Sequence, residues 1–209
     1  MLMRYTFFDT PILRTILRWV SLFCLKVSGW KRVGELPEGD KYVIIAAPHT
    51  TNWDMPITMM IAFAFKAKIY WIGKASLFKF PFKTVMRWMG GIPIDRSKSN
   101  NMVEAAIETF NKHKKLVLAV PPEGTRQKVR YWKTGFYYIA LGANVPIASG
   151  FLDYPSKTGG FGPIINPTGD IEADMAKIKK FYEGIKGKFS HQFDEGSITT
   201  EKKQVKKPG

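Results

Sequence analysis

The chain has 209 residues and a formal net charge of +15, with 32 Lys and Arg against 17 Asp and Glu. Apolar residues make up 45% and aromatic residues 14%, which excludes a disordered composition and suits one domain with its own core. The excess of positive charge favours an anionic partner, such as nucleic acid, an anionic membrane surface or a substrate with a phosphate. A single cysteine, Cys24, excludes an internal disulfide and a cysteine-based zinc framework.

The first predicted element is a helix over residues 11–28, which are apolar but include Arg14, Arg18 and Lys26. Charges near the middle of a spanning helix are costly, so the segment favours a helix that lies on a membrane surface. One face is apolar at helical spacing: Ile12, Ile16, Val20, Phe23 and Val27. We assign residues 1–33 to this membrane-associating segment and expect it on the cytoplasmic face. The alternative is a soluble helix packed on the domain.

Strand and helix patterns alternate through the rest of the chain, after a linker rich in Gly, Pro and charge at 34–41. Strands are predicted at 42–47, 68–74, 92–95, 116–120 and 145–153, and helices at 55–66, 101–115, 135–142 and 170–189. The glycine- and proline-rich stretch between 154 and 169 is predicted as a turn-containing connection. The pattern predicts an α/β domain over 34–190, with a mainly parallel sheet flanked by helices, and a charged tail over 191–209.

The segment "PHTTNWD" (48–54) places His49 and Asp54 five residues apart. On a regular helix two such side chains point roughly 140° apart, so they meet only if the chain turns between them. The segment lies between a predicted strand and a predicted helix, which supplies such a turn. A histidine held by a carboxylate is the arrangement that a general base needs. The alternative is that Asp54 caps the helix and His49 is an unrelated surface histidine. Since no serine or cysteine nucleophile motif is nearby, the deprotonated hydroxyl would belong to substrate or water.

Two later segments carry anion-binding side chains at the ends of predicted strands. "GGIPIDRS" (90–97) contains Arg96, whose planar fork suits phosphate. In "PPEGTRQK" (121–128), Glu123 can anchor the loop, and Gly124 lets backbone N–H groups approach a ligand. Thr125 and Arg126 can donate hydrogen bonds to an anion, and Lys133, a few residues later, is a further cation. The alternatives are a surface ion pair and an ordinary polar loop. Three strand ends with such residues favour one ligand site.

In chain order, "PHTTNWD", "GGIPIDR", "PPEGTR" and "VPIASG" resemble the four sequence blocks of the glycerophospholipid acyltransferase family. The resemblance implies acyl transfer from acyl-CoA or acyl carrier protein to a lysolipid hydroxyl. It implies that His49 is the base and Asp54 its orienting partner. It associates Arg96 and the Glu123–Arg126 loop with the acceptor's phosphate, and Val145, Pro146 and Ile147 with the acyl donor.

The departures from the family pattern concern acceptor identity more than the reaction. Pro48 stands where many members have Asn, and Pro121 where Phe is common. We expect lysophosphatidic acid as the acceptor, giving phosphatidic acid, with a lyso-aminolipid or another lysophospholipid as alternatives. Neither a metal nor a cofactor is expected, and no nucleic-acid motif is recognised. Two other hypotheses for the function are that the chain is a non-catalytic membrane lipid-binding protein, or that it is a His–Asp hydrolase that uses water.

Overall fold

A seven-stranded sheet forms the centre of the protein in a computed structural model, which describes residues 5–94 and 99–193. The strands are β1 (Lys31–Val33), β2 (Lys41–Ala47), β3 (Tyr70–Lys74), β4 (Gly91–Ile94), β5 (Leu116–Val120), β6 (Ile147–Asp153) and β7 (Thr158–Ile165). Their order is β1-β7-β6-β2-β5-β3-β4. All neighbouring pairs are parallel except β6 and β7. This confirms the predicted α/β class with a mainly parallel sheet.

The helices cover both faces of the sheet. They are α1 (Pro11–Ser28), α2 (Asp54–Phe65), α3 (Lys83–Trp88), α4 (Ser99–Lys112), α5 (Gly135–Ala143) and α6 (Ile171–Tyr182). Helices α4, α5 and α6 bury their apolar sides against one face, and α2 packs on the other with α1 outside it. The continuous apolar runs of β2 and β5 are explained by this two-sided burial.

The predicted N-terminal helix is present as α1, and its termini follow local sequence signals. Pro11 occupies the first turn, and Gly29 ends the helix in a left-handed conformation at φ 79°. Leu25 packs on α2 in a cluster with Ile57 and Ile61. Two residues after α1, β1 joins the sheet and pairs with β7, so residues 31–33 of the segment assigned to the helix belong to the sheet.

Strand β7 differs from the sequence prediction, which expected a turn-containing connection at 154–169. The glycines of this stretch allow close packing within a strand. A Cβ on Gly160 would lie 2.0 Å from the Val33 carbonyl oxygen, and a Cβ on Gly162 would lie 2.1 Å from the Phe181 ring. The turn is present at residues 154–157, but the strand Thr158–Ile165 was missed, because its glycines make room for β1 and α6.

The parallel strands β6, β2 and β5 are adjacent and end at the same edge of the sheet. In register, Ile45 pairs with Val120 and Ala47 pairs with Phe151. The chain segments that leave these three strands therefore meet above one edge, where open parallel sheets bind ligands. The segment after β2 carries His49 and Asp54, and the segment after β5 carries the Glu123–Arg126 loop and Lys133.

Candidate active site

The corner between β2 and α2 brings His49 and Asp54 together, as the strand–turn–helix interpretation predicts. The His49 Nδ1 atom lies 3.0 Å from Asp54 Oδ2. The same oxygen accepts hydrogen bonds from the backbone N–H groups of Thr50 and Thr51, at 2.8 and 2.9 Å. Asp54 is the first residue of α2, yet its side chain holds the preceding turn and does not cap the helix.

This contact fixes the tautomer of the imidazole. A carboxylate only accepts hydrogen bonds, so the His49 hydrogen lies on Nδ1 and the lone pair on Nε2. The His49 side chain is 31% exposed, whereas that of Asp54 is 6% exposed. The geometry is therefore that of a general base with a buried orienting carboxylate. The catalytic roles stay a prediction.

Tyr154, which sequence reasoning missed, contacts the other oxygen of Asp54. It follows β6 directly, and its hydroxyl donates a hydrogen bond of 2.7 Å to Oδ1. Burial of the hydroxyl, together with its hydrogen bond to Asp54, raises the pKa of Tyr154 far above the ordinary value. The hydroxyl therefore stays protonated and donates. No local sequence signal links two residues 100 positions apart.

Glu123 lies behind His49. Both carboxylate oxygens accept the His49 backbone N–H, at 2.9 and 3.2 Å, and the residue is 5% exposed. Burial raises the pKa of Glu123 to about 8, the His49 hydrogen bond opposes the rise, and the charge of Asp54 adds to it. The contact fixes the His49 main chain, and the substrate-binding role expected of Glu123 stays a prediction.

The remaining residues of the loop after β5 face a shared cavity with His49. Gly124, Thr125 and Arg126 line it. Gly124 adopts φ +65°, and a Cβ there would lie 3.1 Å from Lys133 Nζ, so Lys133 lies against this loop. The structure thus groups four predicted binding residues beside the His49–Asp54 pair. Arg96 lies outside the described residues, and its role stays a prediction.

The cavity has a volume of about 650 Å³ and extends between α2 and the sheet. This is within the usual range of roughly 300–1,000 Å³ for ligand pockets. Its lining combines small residues with flexible apolar ones, including Ala46, Ala62, Ala119, Gly150, Gly160, Met55 and Met59. Lys74 and Arg126 add positive charge. The arrangement suits a long apolar chain whose polar end lies beside His49.

Comparison with known proteins identifies the family of the chain. The model of the family described as Acyltransferase matches residues 24–151, which is more than half of the chain. The chain belongs to the acyltransferase family. This match confirms the family resemblance drawn from the four sequence blocks.

A solved structure shares the acyltransferase fold. It is described as the 1-acyl-sn-glycerophosphate (LPA) acyltransferase PlsC from Thermotoga maritima. The TM-score is 0.58 at 17% sequence identity, and the match covers 83% of this chain and 78% of that one. At this identity the likeness concerns the fold. No curated protein sequence gives a significant match.

The fourth block of this acyltransferase contributes to the cavity only through its end. Val145 and Ile147 are buried in the cluster that contains Phe136 and Tyr137, and neither is among the cavity-lining residues. Gly150, at the end of the block, does line the cavity. Val145, Pro146 and Ile147 therefore do not line this cavity, and their association with the acyl donor stays a prediction.

The chain after α6 holds the β2–α2 turn from outside, a contact that sequence reasoning also missed. The Phe189 N–H donates to Thr50 Oγ1 at 3.3 Å. The Gln192 amide, oriented to donate, lies 2.8 Å from the Thr50 carbonyl and 2.7 Å from that of Arg126. This segment therefore links the β2–α2 turn to the loop after β5.

Proposed function

We propose that the protein transfers a fatty acyl group from a thioester donor, acyl-CoA or acyl carrier protein, to the hydroxyl of a lysophospholipid. The observation that carries this proposal is the His49–Asp54 pair, with Nδ1 held at 3.0 Å, beside an apolar cavity. Lysophosphatidic acid is the first acceptor to test, because cationic side chains lie nearby and because the Thermotoga maritima neighbour is described as acting on it.

The chemistry follows from the lone pair on His49 Nε2. This nitrogen takes the proton of the acceptor hydroxyl as the oxygen attacks the thioester carbonyl, and Asp54 stabilises the imidazolium that forms. The tetrahedral intermediate then expels the thiolate, which receives the proton from His49 and leaves as a thiol. The products are the ester and the free thiol, and the imidazole is neutral again.

Substrate placement is assigned from charge and shape. Arg126, Lys133 and Arg96 would hold the acceptor's phosphate, because guanidinium and ammonium groups bind phosphate oxygens. The acyl chain of the donor would lie in the apolar cavity. Glu123 would support phosphate binding indirectly, since it holds the backbone of the loop after β5 against that of His49.

We place the enzyme at the cytoplasmic face of the membrane through α1. The apolar stripe of α1 faces solvent: Ile12 is 76% exposed, Phe23 67% and Trp19 65%. Phe80, at 95% exposed, belongs to a second apolar and basic segment, residues 74–88. Within the described part of the chain, no helix has the length and apolar character needed to cross a bilayer. An amphipathic helix at the headgroup level fits these observations.

The reaction is tested by thiol release from a long-chain acyl-CoA and from acyl carrier protein, with and without lysophosphatidic acid. Wild type is expected to release thiol only with the acceptor. His49→Ala is expected to lower the rate by on the order of 10²–10⁴, the usual contribution of a general base. His113→Ala, at the end of α4, is the matched control and should keep wild-type activity.

The alternatives predict different results in the same assay. Thiol release without any acceptor would identify a hydrolase. Absence of release from both donors across several lysolipids would favour a lipid-binding protein. If lyso-aminolipids or other lysophospholipids react and lysophosphatidic acid does not, the acyl transfer stands and the acceptor assignment fails.

Membrane binding is tested by co-sedimentation with vesicles of zwitterionic lipid, with or without an anionic lipid. We expect binding to the anionic vesicles and a decrease for Phe23→Ser, since burial of such a side chain contributes about 1.5–3 kcal/mol. Leu141→Ser changes an exposed apolar residue on α5, on the opposite face of the sheet, and serves as the control. Equal binding of the two variants would contradict the placement of α1.

A further inference from the structure

The two oxygens of the Asp54 carboxylate have different partners. Oδ2 accepts hydrogen bonds from His49 Nδ1 and from the backbone N–H groups of Thr50 and Thr51. Oδ1 accepts the hydroxyl of Tyr154 at 2.7 Å. Three of the four donors therefore belong to the turn that Asp54 itself closes, and the fourth comes from the far side of the site.

We propose that Tyr154 is a positioning residue, whose hydroxyl fixes the plane of the Asp54 carboxylate and thereby the orientation of His49. This inference rests on the proposed acyl transfer, in which His49 is the base. The second torsion of an aspartate side chain is broad, so bonds to one oxygen leave the carboxylate free to rotate about them. A donor on the other oxygen removes that freedom.

Burial makes the Tyr154 bond difficult to replace. Asp54 is 4% exposed, so an oxygen that lost its donor would have little access to water. A buried acceptor left without a partner costs the free energy of its desolvation, and the cost is larger for a charged group. Without the hydroxyl, the carboxylate would turn toward other donors and weaken its hold on His49.

Tyr154 is itself held on three sides, as a positioning residue requires. Its backbone N–H donates to the Lys186 carbonyl at 3.0 Å. Its ring packs edge-on against Trp30, with centroids 5.1 Å apart and an interplanar angle of 87°. It also packs on the cluster that includes Leu25 and Ile57, which joins α1 to α2. The hydroxyl therefore reaches Asp54 from a rigid support.

The experiment compares Tyr154→Phe with wild type by steady-state kinetics of acceptor-dependent acyl transfer. Since a hydrogen bond to a charged group contributes about 1.5–3 kcal/mol, we expect kcat to fall about tenfold to a hundredfold. The KM values for donor and acceptor should stay within about twofold, because Tyr154 touches neither substrate in this assignment. Tyr138→Phe, at an exposed tyrosine on α5, should leave both parameters unchanged.

Two kinetic results would overturn the inference. One is an unchanged kcat in Tyr154→Phe. The other is a loss of activity that parallels the unfolded fraction measured by thermal denaturation, since that result would show a structural function alone. Phe keeps the ring contact with Trp30, so the variant is expected to fold.

A second measurement does not depend on the reaction. The hydrogen on His49 Nδ1 should give a low-field proton NMR signal, identified by its loss in His49→Gln. In Tyr154→Phe this signal should shift or broaden as the carboxylate rotates. An unchanged signal would overturn the positioning function even if the acyl transfer is confirmed, and a shifted signal would support it even if wild type transfers no acyl group.

Discussion

The two faces of the sheet are built from the same strands and packed in different ways. The face that carries α4, α5 and α6 receives large side chains from β2, β5 and β6, including Val43, Ile45, Leu118 and Ile147, and is filled by Trp132, Phe136, Tyr137 and Tyr182. We call it the packed face. The other, which we call the cavity face, receives Tyr42 and Val117 near the starts of β2 and β5. Further along the strands it receives Ile44, Ala46, Ala119, Ala148 and Gly150, and there it carries the cavity of about 650 Å³ beneath α2.

The difference shows that the loss of close packing is confined to the cavity face. Protein interiors are usually close-packed, and a cavity costs free energy in proportion to its volume. Alternation along a strand lets one sequence place bulky residues on one side and small ones on the other. The packed face thus provides stability, and the cavity face provides space beside His49.

The largest effect is expected when a large side chain is removed from the packed face. Phe136→Ala removes a fully buried ring and should lower the free energy of unfolding by about 3–5 kcal/mol. Chemical denaturation measures this loss. The acyl-chain preference of the folded fraction should not change, because Phe136 does not line the cavity. A changed preference would contradict the separation of the two faces.

A smaller effect is expected when the cavity face is filled. Ala119→Leu adds three carbons to the cavity wall and should reduce kcat/KM for the longest acyl donors about tenfold or more, or about 1–3 kcal/mol. Short donors should be affected less. Ala143→Leu, at the end of α5, makes the same substitution away from the cavity. An equal loss for all chain lengths would show that the acyl chain lies elsewhere.

The smallest effect, counted per unit of pH, is expected at Glu123, which lies near Tyr182 and His49. Its pKa in the folded chain, about 8, is above the ordinary 4.5, so the folded state retains a proton that the unfolded chain loses. Stability from this group is therefore present below pH 4.5 and is lost as the pH rises toward 8. The contribution to the slope is at most about 1.4 kcal/mol per pH unit.

Glu123→Gln removes that titration while it retains an oxygen for the His49 N–H. Denaturation between pH 5 and pH 8 should show a flatter dependence of stability on pH in the variant than in wild type. Parallel curves would mean that Glu123 remains ionised in the folded chain across this range.

Local signals were sufficient for the strands that lead to the site. The apolar run before His49 and the helix start at Asp54 indicated the turn that brings the two side chains together. The loop after β5 was recognised in the same way, from Gly124, Thr125 and Arg126. In each case a short stretch of chain contains both the strand and the residues that follow it.

Features that depend on tertiary packing were not accessible from local signals. Strand β7 has glycines where an alternating pattern would need side chains, because β1 and α6 approach it closely. Tyr154 contacts Asp54 because β6 is paired with β2 in the sheet, and the local sequence does not show this pairing. All five residues of β5 are buried, so the sequence of the strand does not show which of its sides lines a cavity. The topology decides that Ala119 lies in the cavity wall.

The cavity beneath α2 also makes thermal stability a measure of ligand binding. A molecule that binds only the folded chain raises the free energy of unfolding by RT ln(1 + [L]/Kd), or about 2.7 kcal/mol at a hundredfold excess over Kd. A series of non-hydrolysable acyl thioester analogues of increasing chain length would therefore give increasing melting temperatures until the chain exceeds the space available. Under the proposed acyl transfer, the preferred chain length of the donor can therefore be measured from melting curves, without turnover and without knowledge of the acceptor.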